Sequence, residues 1–214
     1  MLVYHPDRVD VSELSTYEAL AEPSMANRVV IRSSQNVYNQ SLFASLLELQ
    51  GEAAFDAWLS GLKGNLARRP AGNDRDQAKA VFAGEADVAI MNTYYMGKMA
   101  FSDDPFERDI ARALEVFFPN QDTTGTHVNI TGLGVVKHAD NVEAAEALIT
   151  YLLSENVQNV FASTNYEYPV LESATLHPYI EAWGAFNEQT IPLSRLGDLY
   201  PTVSIKVDEL RFDQ

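Results

Sequence analysis

The chain has 214 residues, of which 46% are apolar and 21% charged, and its formal net charge is −15. Such a chain can bury one large or two small cores, but its negative balance, with no run of Lys and Arg, argues against nucleic acid or an anionic membrane as partner. It contains no cysteine, which excludes disulfides, thiolate metal sites, iron–sulfur clusters and a cysteine nucleophile.

No apolar run reaches the ~20 residues of a membrane span, and the amino terminus lacks the basic-then-apolar pattern of a secretory signal. Met1-Leu2-Val3-Tyr4 reads as a strand with no preceding element to pair with. Ser15-Thr16-Tyr17-Glu18 has the form of a capping box opening a short helix that Pro23 ends. Arg28–Arg32 is a strand by its β-branched content, and Ser33-Ser34-Gln35-Asn36 is a polar turn feeding a helix over Val37–Gln50. The free amides at that helix start suit an anion, with Ser33, Ser34 and Asn36 as further donors; plain N-capping, which needs one of them, is the other reading. Tyr38 lies in the first turn, either as the first member of the buried stripe that continues through Leu42, Ser45, Leu46 and Leu49, or at a pocket mouth.

The next helix, Glu52–Leu62, turns Phe55, Trp58, Leu59 and Leu62 to a core. Asn73 caps a helix over Asp74–Ala83, ended by Gly84, and Asp74 and Asp76 read as a solvated helix start because carboxylates so spaced do not converge. Asp87–Met91 is a buried strand, which puts Tyr94 and Tyr95 just beyond its carboxyl end, where open α/β sheets bind ligands. Asp104-Pro105 opens a helix to about Leu114, and Glu115–Phe118 is a short strand. His127–Lys137 reads as a long strand bent at Gly132 and Gly134. Helices are expected over Val142–Leu153, Glu155–Ala162 and Pro178–Phe186, before a mixed tail.

The four histidines show no metal-binding spacing, there is no nucleophile elbow, and Gly132-Leu133-Gly134 lacks the context of a dinucleotide fingerprint. The chain is therefore not expected to be an enzyme. What remains is three tyrosines at strand or helix ends, Tyr38, Tyr94 and Tyr95. A phenol is neutral at pH 7, with a pKa near ~10, but a small trivalent cation displaces its proton and makes it a hard, charged oxygen ligand. Three phenolates cancel the charge of Fe3+.

Six stretches, Arg32–Ser41, Gly72–Gln77, Asn92–Tyr95, Phe117–Gln121, His127–Ile130 and Asn165–Val170, resemble, in the same order, the ferric-iron-binding proteins of bacterial ABC importers. The interval from Tyr38 to Tyr94 is similar to that of the family's tyrosine-rich, cyanobacteria-like branch. The resemblance implies an α/β, type II periplasmic-binding-protein architecture with iron in a cleft between two lobes. It implies Tyr38, Tyr94 and Tyr95 as ligands to Fe3+, and Ser33, Ser34 and Asn92 as groups touching the ligands or a synergistic anion. It places Arg68 and Arg75 near the cleft as balancing charges; a surface ion pair is the other reading for both arginines. It further implies a periplasmic monomer that delivers ferric ion to an ABC permease and inserts in no membrane.

Family members carry about a lobe's worth of chain ahead of the segment matching Leu2-Val3-Tyr4, including further ligands. The expectation is thus a complete second lobe over residues 1–126, and over 127–214 a crossing strand and helices of a first lobe lacking its amino-terminal part. Such a remnant exposes apolar surface and leaves a weakened iron site. The alternative function is an oxyanion- or other small-ligand-binding module of the same fold, seated on Ser33, Ser34 and the helix start.

Overall fold

The computed structural model describes all of residues 1–214. Four short strands, β1 (Leu2–Tyr4), β2 (Val29–Val30), β3 (Val88–Ile90) and β4 (Glu115–Phe117), form one sheet in the order β2-β3-β1-β4. β1 is antiparallel to both β3 and β4, whereas β2 runs parallel to β3. The first strand, which had no evident partner in the sequence, lies inside the sheet because both its partners come later in the chain.

Alternation along these strands feeds a core on each face. Leu2, Tyr4, Val29, Val88 and Ile90 pack with α1 (Val37–Gln50), α2 (Glu52–Asn65) and α9 (Leu193–Glu209). Val3, Val30 and Ala89 pack with α3 (Asp74–Ala83), α4 (Thr93–Ala100) and α5 (Pro105–Ala113). A sheet covered by helices on both sides is what the resemblance implied.

Local chemistry accounts for the helix starts. The Asn36 side chain accepts from the Tyr38 amide to start α1, and Asn73 accepts from the Arg75 and Asp76 amides while Asp76 answers as a capping box to start α3. Gly84, in the left-handed region at φ +79°, ends α3. The box expected at Ser15–Glu18 does not form: Glu18 turns instead to Gln50 and Asn120, and only a 3-10 turn runs over Glu18–Ala21.

The second half departs further from expectation. Residues 127–137 are not a strand: no other segment of the chain lies alongside to form a ladder, and Ile130, Leu133, Val135 and Val136 are exposed. α6 (Val142–Leu152) and α7 (Glu155–Asn165) form as expected, but α6 buries no residue. α8 spans only Pro178–Glu181, with Gly184 in the left-handed region at φ +80° soon after. The mixed tail is in fact α9, whose Val203 and Val207, with Phe212 beyond it, lie in the larger core beside α1. α9 thus comes from the stretch assigned to the first lobe and packs on the body of residues 1–126.

Candidate metal centre

β2 and β3 are neighbouring parallel strands, so the segments leaving their carboxyl ends emerge side by side. The first leads to α1, with Tyr38 in its opening turn, and the second to α4, with Tyr94 and Tyr95 in its opening turn. All three tyrosines are half-buried, and the Tyr38 and Tyr94 hydroxyls lie 3.0 Å apart. The rings of Tyr94 and Tyr95 have centroids 4.2 Å apart at 31°. Burial, and then the neighbouring hydroxyls of Tyr38 and Tyr95, push the Tyr94 phenol far above its ordinary range. Without a metal Tyr94 is therefore held as a neutral phenol.

Two cations border it. Lys98 Nζ stands 4.9 Å from the centre of the Tyr94 ring, and the Arg32 guanidinium carbon 5.1 Å from that of Tyr38. Arg32 pairs with Asp74 at 2.5 Å. Asp74 is only 1% exposed, so it is not the solvated helix start its neighbours suggested. Burial raises its pKa against the lowering pull of the Asn92 amide and Arg32. The Asn92 amide donates to Asp74 at 2.9 Å, so this pair holds the turn that leads into Tyr94.

The other expected residues take different places. Ser33 Oγ and the Ser34 amide donate to the two carboxylate oxygens of Asp213, at 2.6 and 3.0 Å. The expected anion seat at the start of α1 is thus filled by a carboxylate of the chain itself. Asn92 does stand at the cluster's edge, where its side-chain carbonyl accepts from Asn129 at 2.8 Å. Arg68 pairs with Glu85, and Arg75 with Glu107, each at 3.1 Å. Arg68 therefore spends its charge on a carboxylate in the loop between α3 and β3, and Arg75 on one of α5, rather than on a tyrosine. Arg32, which the sequence did not single out, occupies the position expected of them; its one signal was its place at the end of the strand leading to α1. No three of His, Asp and Glu gather in metal-binding geometry.

Residues 2–187 match the family described as bacterial extracellular solute-binding protein. The chain belongs to this solute-binding family. This solute-binding protein is 49% identical over 197 residues to Iron uptake protein A1 of Synechocystis, a match covering 92% of its chain and 55% of that protein. It is 42% identical to Iron uptake protein A2 of the same organism, covering 98% and 61% respectively. It thus spans little more than half the length of these curated relatives. Among solved structures, the ferric binding protein of Campylobacter jejuni superposes with a TM-score of 0.94 at 36% identity, over 98% of this chain and 67% of that one. Trichodesmium FutA, in complex with iron and citrate ligands, gives 0.94 at 41% identity over 98% and 66%. The architecture of this solute-binding protein is accordingly that of the periplasmic binding proteins.

Proposed function

We propose that this chain is the substrate-binding component of an ABC-type ferric iron importer, and that Tyr38, Tyr94 and Tyr95 hold Fe3+ as phenolates. The observation that carries the reading is the 3.0 Å contact between the Tyr38 and Tyr94 hydroxyls, with the Tyr95 ring beside them. Two phenols from separate helices, brought into direct contact with each other, suit a hard trivalent ion. Iron uptake and ferric binding in the names of its relatives support the same cargo. Citrate, present with iron in the Trichodesmium structure, is the synergistic anion to test first.

Binding would release the phenol protons and leave Arg32 and Lys98 as the nearest cations. Affinity should then fall as pH falls, by up to about tenfold per pH unit for each proton displaced. In this reading the tyrosine lobe comprises residues 1–126 together with α9, and the remaining helices belong to the facing lobe. The loaded protein works in the periplasm as a monomer, presents iron to the permease and catalyses no reaction. The oxyanion alternative loses its seat to Asp213.

Titration with ferric citrate tests the proposal. A phenolate-to-iron charge-transfer band should appear in the wild type and vanish in Tyr94→Phe/Tyr95→Phe. A band that survives both substitutions, or never appears, would overturn it.

A further inference from the structure

His127-Val128-Asn129 contributes no tyrosine, yet its side chains reach both helices that do. The imidazole Nε2 lies 2.9 Å from Ser41 Oγ, and Ser41 sits one turn beyond Tyr38 on α1. Two residues on, Asn129 Nδ2 donates to Asn92 Oδ1 at 2.8 Å, at the N-cap of α4 just before Tyr94. The base of this segment is fixed: Thr126 donates its amide to Asn187 at 2.8 Å and accepts from the Gln189 amide at 2.9 Å. Gln189 Oε1 then lies 3.1 Å from His127 Nδ1. With Gln189 presenting its carbonyl, His127 donates from Nδ1 and accepts the Ser41 hydroxyl proton at Nε2.

We propose that residues 127–129 form a strap that sets Tyr38 against the Tyr94–Tyr95 pair, with His127 and Asn129 as positioning residues for iron binding. The inference rests on the phenolate reading above. Its geometric basis is that α1 and α4 reach the cluster from separate strands and share few ties of their own there besides the Tyr38–Tyr94 contact. The strap hydrogen-bonds to each of them close to the tyrosines. Tyr38, Asp74, Asn92, His127 and Asn129 also line one cavity of about 30 Å³, room for a single water. Burial lowers the His127 pKa to about 4, so the imidazole stays neutral at pH 7 and keeps the acceptor that Ser41 needs. Groups that orient metal ligands in this way usually change affinity by roughly 10–100-fold when removed.

The test compares wild type with Ser41→Ala, His127→Ala, His127→Gln and Asn129→Ala in the ferric citrate titration, and follows the Tyr Cζ NMR resonances of the metal-free protein. The expected result is a shifted charge-transfer band and about tenfold weaker iron binding in Ser41→Ala, His127→Ala and Asn129→Ala. The effects of Ser41→Ala and His127→Ala should be non-additive, because both cut the Ser41–His127 bond. His127→Gln should restore part of the loss. A wild-type band together with unchanged band and affinity in Ser41→Ala and Asn129→Ala, variants that remove one hydrogen bond each, would overturn the strap alone. If the wild type gives no band, the phenolate reading fails, and the strap is judged on the metal-free resonances. Tyr38 and Tyr94 signals that do not move in the variants would then overturn it.

Discussion

At the scale of single residues, the Arg32–Asp74 pair is the costliest to disturb. Asp74 is 1% exposed and Arg32 is half-buried against it, so Asp74→Ala would leave a guanidinium with a buried, unpartnered side. Breaking such a pair should cost ~2–4 kcal/mol, read as a lower urea midpoint with unchanged slope. Asp74→Asn, which keeps an acceptor for the Asn92 amide, should cost less. His127 gives a pH signature of its own. Its pKa is ordinarily 6.5 and is held at about 4 in the fold, so between those values the unfolded chain binds a proton that the native chain does not. Stability is therefore complete above pH 6.5 and is lost as pH falls through this window, by at most ~3 kcal/mol. Unfolding of wild type and His127→Gln at pH 7.5 and 4.5 should show the slope in the first and a flatter one in the second. The place of Tyr94 and Tyr95 was legible in the sequence because a strand end locates them, whereas local pattern left Tyr38 between a buried stripe and a pocket mouth, and only the resemblance joined it to the pair. Arg32 and Asp74 were not, since 42 residues separate them and Asp74 shares its helix start with an acidic neighbour that really does cap.

Among elements, those with chemical punctuation could be read directly. α1 and α3 begin at Asn36 and Asn73 because those side chains accept first-turn amides, and Asn73→Ala should cost ~1 kcal/mol in thermal unfolding. α9 was hidden by Pro201 in its interior, which ordinarily ends a helix. Here Val203 and Val207, one turn apart, lie in the larger core and hold the helix on α1. The segment 127–137 failed as a strand for the opposite reason: its alternation is genuine, but a strand exists only as part of a ladder. α4 and α7 meet where Gly97 faces Tyr166, and a Cβ at Gly97 would stand 2.4 Å from the Tyr166 side chain. Gly97→Ala should therefore push α7 away and lower stability by roughly 1–3 kcal/mol, visible as a lower Tm.

For the molecule as a whole, the two-faced sheet was legible because apolar residues run together through both β1 and β3, but the strand order was not. Leu148 and Tyr151 are 56% and 63% exposed on α6, close in sequence to the exposed Leu153, so the surface carries apolar side chains as the resemblance led one to expect. Replacing both by Ser should leave stability within about 0.5 kcal/mol while lowering binding of a hydrophobic dye. On the proposed reading, the 214 residues measured by themselves should bind ferric citrate less tightly than Iron uptake proteins A1 and A2 of Synechocystis, whose sequences they cover by 55% and 61%. The interior position of β1 bears on how the protein is made. Leu2 pairs with Ile90 on one side and Phe117 on the other, so this strand has no seat until partners 88 and 115 residues further along the chain are in place. Assembly must wait for distant contacts, which makes it slow, and the nascent chain needs protection from premature association in the meantime.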